Sequence, residues 1–424
     1  MLILFWLFAG IVVYAYAGYP VFVWLAARVF GRREAPPIVA DNKLPRLTLL
    51  IAAHDEGAVI EERLRNGLEL DYPADKLEIV VASDGSSDDT ADVVRRFADR
   101  GVRLLDYPFN RGKSATLNAA WDEVSGDVVM LSDANTWFDP RAARLLARWF
   151  ALPEVGAVCG RLELIDAATG RNVDGLYWRY ETFIKRCEGR LGSLLGANGA
   201  IYAVRRDRFV PVPPQTIIDD LVIPLLARMT HGCRLVYEPQ AHAREETPFR
   251  LSDEFGRRAR IGAGGFQCLA LLWPLLNPRQ GWLAFSFFSH KLLRWVTPFC
   301  LLGMLAAGVG AAGHSSGRVL LAAQAVFYVL AVIGALVPGR RPAVRLLRLT
   351  TLFTYMNLAL LVGFWRWVRG RQRGAWVRTA RVPTRLTQPA GGFPERVGNA
   401  YPAAASISHT PFPPQALDTP VGAA

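Results

Sequence analysis

No charged side chain stands before Arg28 in MLILFWLFAGIVVYAYAGYPVFVWLAARVF, the first thirty residues of the chain. About twenty consecutive apolar residues already cross a bilayer as a helix, so this run ties whatever follows to a membrane. Arg28, Arg32 and Arg33 come after the run rather than before it, the reverse of a secretory signal peptide. The AYA at 15–17 imitates a cleavage site, but the apolar run continues to Phe30. Residues 1–30 are therefore expected to be an uncleaved transmembrane anchor with its N-terminus outside. Two further runs, 292–313 and 319–338, are long enough to span. A third, 349–365, is shorter and has arginine on both sides, so it is expected to lie in the interface or to re-enter. This divides the remainder into an interfacial amphipathic segment at 249–291, transmembrane and interfacial helices at 292–368, and a Pro-, Ala- and Gly-rich tail at 385–424 that reads as disordered.

Composition agrees, with 51% hydrophobic and only 20% charged residues. The net charge of +12 raises the question of nucleic acid, but the arginine clusters (AARVFGRRE, PGRRPAVRLLR, RWVRGRQR) flank apolar runs as cytosolic membrane borders do. The expected large partner is the lipid bilayer, not nucleic acid. The five cysteines, Cys159, Cys187, Cys233, Cys268 and Cys300, have no C-x-x-C spacing and point to neither zinc nor disulfides.

Between residues 36 and 248 the rhythm is α/β. RLTLLIAAH (46–54), LEIVVASDG (77–85), VRLLDY (102–107) and DVVMLSDA (127–134) read as strands, with helical stretches between them. Such alternation implies right-handed crossovers and a mostly parallel sheet, whose ligands bind beyond the carboxyl ends of the strands. The unusual residues collect at those ends: His54-Asp55-Glu56, Ser83-Asp84-Gly85 and Asp133-Ala134-Asn135.

Each cluster suggests a chemistry. Asp84, on the rim, suits a nucleobase imide or a ribose hydroxyl, whereas Asp88 and Asp89 read as helix caps. NRGKSATLN (110–118) imitates a phosphate loop, but Tyr107 stands where a P-loop needs glycine. Lys113 either approaches a phosphate or base from a helix start or is a solvated first-turn lysine. Asp133 suits a divalent cation, Mn²⁺ or Mg²⁺, with a diphosphate completing the oxygen shell and Asn135 adding a neutral amide oxygen. In TIIDDLVIPLLARM (216–229) either Asp219 or Asp220 serves as an N-cap. Alternatively, mutual repulsion keeps one of them basic enough to take a proton. Arg257, Arg258 and Arg260 either snorkel to anionic lipid or clamp a diphosphate, and their spacing does not separate the two.

Taken in order, these stretches resemble family-2 glycosyltransferases, the inverting membrane-bound enzymes related to cellulose, chitin, hyaluronan and poly-N-acetylglucosamine synthases. The resemblance covers about residues 46–270. AAHDEG is similar to the family's Pro-x-Tyr-Asn-Glu-Glu, which contacts the base and implies that role for Ala53, Asp55 and Glu56. SDGSSDDT resembles Asp-Asp-Gly-Ser with Ser83 in the first place, and NRGKSATLN resembles Gly-Lys-x-x-Ala-Leu-Asn. SDAN is similar to the Asp-x-Asp metal motif at Asp133, with Asn135 second, and GANGAIYAVRR (196–206) to the acceptor-side segment. IDDL resembles Thr-Glu-Asp and puts the general base on Asp220. Arg257 and Ile261 replace the Gln and Trp of the processive Gln-x-x-Arg-Trp, a departure that speaks against long-chain processivity. The resemblance implies a GT-A (Rossmann-like) domain, a nucleotide-sugar donor (UDP-linked), and a glycan or lipid-linked acceptor. The catalytic domain is expected on the cytosolic side of a plasma or inner membrane.

Overall fold

The computed structural model describes residues 1–32, 34–165, 176–246, 251–337 and 342–371; Arg33 and the expected tail at 385–424 lie outside them. Its sheet begins with β1 (Leu47–Ala53), β2 (Leu77–Asp84), β3 (Val102–Tyr107) and β4 (Val128–Asp133), parallel neighbours in the order β3-β2-β1-β4. Every β1 residue is buried, as a strand covered on both faces requires, which is why it reads as an apolar run interrupted only by Thr48. Its ladder to β2 runs from Leu47↔Leu77 to Ala53↔Ser83, and that to β4 from Leu47↔Val128 to Ala52↔Asp133. This register brings Ala53, Asp84 and Asp133 to one edge.

The second half of the sheet was not legible as strands. It comprises β5 (Thr136–Phe138), β6 (Val155–Ile165), β7 (Tyr202–Arg205) and β8 (Arg234–Glu246), in the order β4-β7-β6-β8-β5. β7 runs antiparallel to β4 and β6, β8 runs parallel to β6, and β5 is antiparallel to β8. The sheet is thus mixed and mostly parallel, as expected.

Helix Gly57–Leu68 covers one face with Ile60 and Leu64, together with Ala142–Ala147. It also buries Arg63 completely. Arg63 donates to Asn66 Oδ1 at 3.1 Å and to Ser132 Oγ at 3.2 Å, and lies 4.2 Å over the Phe138 ring. That cation braces the end of β4 from below. On the other face, helices Lys113–Trp121 and Asp219–His231 pack into a core that continues through Phe266, Cys268 and Leu272 to Phe287 and Trp295. The sheet domain is therefore seated on the apolar helices by shared hydrophobic packing.

Among the described residues, five helices are long and apolar enough to cross a membrane: Leu2–Val29, Phe255–Leu276, Trp282–Gly310, Ser315–Leu336 and Leu346–Val368. Two expected boundaries shift. The segment expected to be interfacial, 249–291, holds helix Leu251–Leu272 and the start of Trp282–Gly310, which passes straight through the expected border at 291. The short run at 349–365 is the middle of the 27-residue helix Pro342–Val368, about 40 Å long at 1.5 Å per residue. Arg348 in its second turn and Arg366 in its last bound the apolar centre, which made that centre look too short to span.

Candidate active site

The turns after β1 and β2 are tied to each other before anything else. Asp55 adopts φ +52°, a left-handed conformation that aspartate tolerates better than most residues. Its Oδ1 accepts the Ser87 N–H at 2.7 Å and the Ser87 hydroxyl at 3.2 Å. Burial pushes the Asp55 carboxyl up, but the Ser87 N–H and His54 outweigh it and hold the group below its ordinary value. The Glu56 N–H donates to Thr90 Oγ1 at 2.8 Å. Asp88, one place before the N-cap, accepts the Gly57 N–H through Oδ2 and the Thr90 N–H through Oδ1, each at 3.0 Å, whereas Asp89, the N-cap itself, makes no side-chain cap bond among the described residues. His54 donates Nδ1–H to the Asp84 carbonyl at 2.8 Å.

Asp84 departs from expectation. It is fully buried, and its two oxygens accept the N–H groups of Arg111 and Gly112 at 2.8 Å each. The carboxylate thus shapes the 110–112 loop instead of facing a base or ribose. Gly85, at φ +63°, permits the approach: a Cβ there would stand 2.5 Å from Asn110 N.

That loop delivers Lys113 at the start of its helix. The lysine is not the solvated first-turn residue that the sequence left open. Its Nζ donates to Asp133 Oδ1 at 2.7 Å and lies 3.4 Å from Asp219 Oδ2, with only 14% of its side chain exposed. Burial disfavours the charge, but Asp133 and Asp219 prevail and raise its proton affinity. Asp219 Oδ2 is buried and accepts no hydrogen bond from the described residues, among which Lys113 holds it by charge.

Neither aspartate of the 219–220 pair is the N-cap, because Ile218 occupies that place and both lie in the first helical turn. Asp220 Oδ2 accepts the Gly199 N–H at 2.9 Å, and its carbonyl accepts the Ala197 N–H at 2.8 Å. Burial and then the neighbouring Asp219 push the Asp220 carboxyl up to about 6, against Lys113 and Lys185, which lower it. A carboxyl so tuned can exchange a proton near neutral pH. Tyr202 is buried beside the same acids, and its hydroxyl finds no hydrogen-bond partner among the described residues.

Asn135 donates Nδ2–H to Glu245 Oε1 on β8 at 3.0 Å, which turns its amide and leaves the Oδ1 oxygen for another partner. Asp133, with 31% of its side chain exposed, and Asn135 Oδ1 make an all-oxygen donor pair at the open rim. No group of three or more His, Cys, Asp or Glu placed to hold a metal ion by itself occurs among the described residues. This donor set fits a hard divalent cation only when oxyanions of a ligand complete its shell. Of the three arginines, Arg257 is exposed, Arg258 lies 5.2 Å over the Tyr177 ring, and Arg260 points its electrostatic influence at Asp219 and Asp133. Lys185, Asn198, Gly199, Tyr202 and Glu245 were missed as site residues. Only GANGA at 196–200 hinted at any of them, since close backbone approach demands small residues.

A parallel first half, a mixed second half and an acidic rim at the end of β4 define the GT-A fold. The mannosyltransferase PcManGT of Pyrobaculum calidifontis, solved with GDP-Man and Mn²⁺, shares this fold at TM-score 0.65 and 23% identity over 87% of this chain and 99% of that one. Residues 48–209 match the family model "Glycosyl transferase family 2", and the chain carries a domain of that family. It is 28% identical over 276 residues to the poly-beta-1,6-N-acetyl-D-glucosamine synthase of Staphylococcus aureus; the match covers 59% of this chain and 65% of that protein, just under two thirds of its length. A Bacillus subtilis protein named "Probable glycosyltransferase YdaM" is 37% identical over 133 residues, 30% of this chain and 32% of its own.

Proposed function

We propose that the protein is a membrane-bound inverting glycosyltransferase that moves a sugar from a nucleoside diphosphate donor, UDP-linked, to a glycan or lipid-linked glycan in cell-surface polysaccharide synthesis. One observation carries the reading: Asp220, pushed up to about 6, shares a rim with Asp133 and Lys113 at the carboxyl ends of the parallel strands. The basic border after the first apolar run supports a cytosolic catalytic domain, where nucleotide sugars are found.

The mechanism is a single in-line displacement at the anomeric carbon. Asp220 takes the proton of the attacking acceptor hydroxyl, held by the Gly199 N–H with its carboxylate oriented across the rim. Lys113 keeps Asp133 and Asp219 compensated until the diphosphate arrives, and Arg257, Arg258 and Arg260 approach the departing oxygens from the helix at Leu251–Leu272. Asp133 and Asn135 would hold a divalent cation, Mn²⁺ or Mg²⁺, which would supply positive charge to the leaving diphosphate. The Asp55 and Glu56 turn, with Ala53 at the end of β1, lies where the nucleoside meets the edge of the sheet.

The pH dependence follows in sign. Asp220 acts only when ionised, so kcat/KM should rise through about pH 6 and then level off, which a pH–rate profile reads directly. The same group binds its proton more tightly folded than unfolded, so its contribution to stability falls as pH rises from 3.8 to about 6.

Ile261 takes the place of the family's acceptor-stacking Trp and exposes 40% of its surface, which favours transfer of one or a few sugars. The similarity to the Staphylococcus aureus synthase supports the alternative, a processive synthase. Purified protein supplied with a panel of nucleotide sugars, Mn²⁺ or Mg²⁺ and membrane lipid extract tests both. Release of nucleoside diphosphate from one donor is expected, and product length by mass spectrometry separates short from long products. No turnover of any donor would contradict the proposal.

A further inference from the structure

Helix Leu176–Arg190 carries Glu181, Lys185 and Glu188 at i, i+4 and i+7, which places all three on one stripe. A lysine with carboxylates four residues before and three after it ordinarily pairs with them. Here both are engaged elsewhere. Glu188, fully buried, accepts the Tyr19 hydroxyl at 2.7 Å through Oε1, which also lies 2.6 Å from His290 Nδ1. Glu181 pairs with Arg294 and lies 3.3 Å from His290 Nε2. Against the upward push of burial, Arg294 and His290 hold Glu181 well below the usual carboxylate range. Tyr180 completes the clamp, accepting from Arg294 Nη2 at 2.9 Å and donating to the Tyr16 carbonyl at 2.9 Å. Tyr16 and Tyr19 belong to the apolar helix Leu2–Val29, and His290 and Arg294 to Trp282–Gly310.

Released from its helical neighbours, Lys185 reaches the loop that holds Asp220. Its Nζ donates to the Ala197 carbonyl at 3.0 Å and to Asn198 Oδ1. Asn198 is tied on its other side, donating Nδ2–H to the Gly160 carbonyl at 2.7 Å. The residues on either side of Asn198 supply both of the backbone contacts to Asp220, from Ala197 N–H to its carbonyl and from Gly199 N–H to Oδ2.

We propose that Lys185 is a positioning residue for Asp220: it fixes the 197–199 loop, and two membrane helices fix Lys185 in turn by occupying Glu181 and Glu188. The proposal rests on Asp220 being the general base. Misplacing a reacting group by about 1 Å costs on the order of 10²-fold in rate, and the two N–H contacts to Asp220 depend on where this loop stands.

Steady-state kinetics of the full-length protein in detergent test it, with wild type, Lys185→Met, Lys185→Arg, Asp220→Asn and the double variant Lys185→Met/Asp220→Asn. Lys185→Met is expected to lower kcat by about 10- to 100-fold with donor KM within about twofold. Lys185→Arg should recover most of the rate. The double variant should be no slower than Asp220→Asn, because residues acting through one another do not add. If Lys185→Met does not accumulate in folded form, Asn198→Ala removes the same contact from the loop side and should show the same loss in kcat. A wild-type kcat in Lys185→Met, a loss confined to KM, or a loss that adds to that of Asp220→Asn would overturn the proposal. A normal rate in Asp220→Asn would remove the base assignment and this proposal together, whereas a slow Asp220→Asn beside a fast Lys185→Met strikes only the role of Lys185.

Discussion

Asp220→Asn is expected to lower kcat by about 10²–10⁴, the contribution of a positioned general base, while nucleotide affinity stays within about twofold. Asparagine is nearly the same size and its amide oxygen can still accept the Gly199 N–H that Asp220 Oδ2 accepts at 2.9 Å, so the loop and helix start remain in place. What disappears is the ability to bind a proton. Removing the charge also relieves the repulsion from Asp219 and the cost of burying a second carboxylate. The variant is therefore expected to be at least as thermally stable as wild type. Calorimetric nucleotide titration beside turnover separates these outcomes: a loss seen in affinity rather than turnover would place Asp220 in donor binding.

Lys113→Met should have the largest effect on stability. One ammonium compensates Asp133 at 2.7 Å and Asp219 at 3.4 Å, and it also lowers the proton affinity of Asp220. Breaking a buried ion pair from one side costs about 3–5 kcal/mol, and the partial exposure of Asp133 argues for the lower end, ~3 kcal/mol. The melting temperature should fall, and added Mn²⁺ or Mg²⁺ should recover part of the loss by supplying positive charge beside Asp133. The acid limb of the pH–rate profile should move upward from about 6, because a charge that favoured the ionised form is gone. An unchanged melting temperature with an unmoved limb would show that Lys113 does not compensate these acids.

The parallel half of the fold was legible because its central strands, β1 and β4, are covered on both faces. Leu47–Ala53 and Val128–Asp133 read as apolar runs that stop at polar residues, and those stops fall on one edge of the sheet. The antiparallel half was not. β7 has four residues and β5 three, too few to show a period, and β8 carries Glu238, His242, Arg244 and Glu245 among its apolar positions. His242 and Arg244 pair across strands with Glu163, at 3.1 and 3.7 Å, and Glu238 pairs with Arg148 at 2.6 Å, and pairing of that kind leaves no trace in a linear pattern.

The same division runs through the site. Asp133 and Asp220 were found because each breaks a local rule, a charge ending an apolar strand or two acids together at a helix start, and Lys113 because NRGKSATLN imitates a phosphate loop. Lys185 broke none, since Glu181 and Glu188 on its own helix already account for a lysine at that spacing. Only their capture by Tyr19, His290 and Arg294, more than a hundred residues away along the chain, shows where Lys185 points. Asp84 was misjudged for the opposite reason. A rim carboxylate suggested a ligand, but the folded loop brings the Arg111 and Gly112 N–H groups to it first.

The anomeric configuration of the first transferred sugar tests the central claim most directly. With a donor whose sugar is α-linked to the diphosphate, proton NMR of the product reads the new linkage before any further reaction. A single displacement with Asp220 as base gives the β-linkage. An α-linked product would require a covalent intermediate or front-face attack, and would contradict the assignment of Asp220 as the base of an in-line displacement.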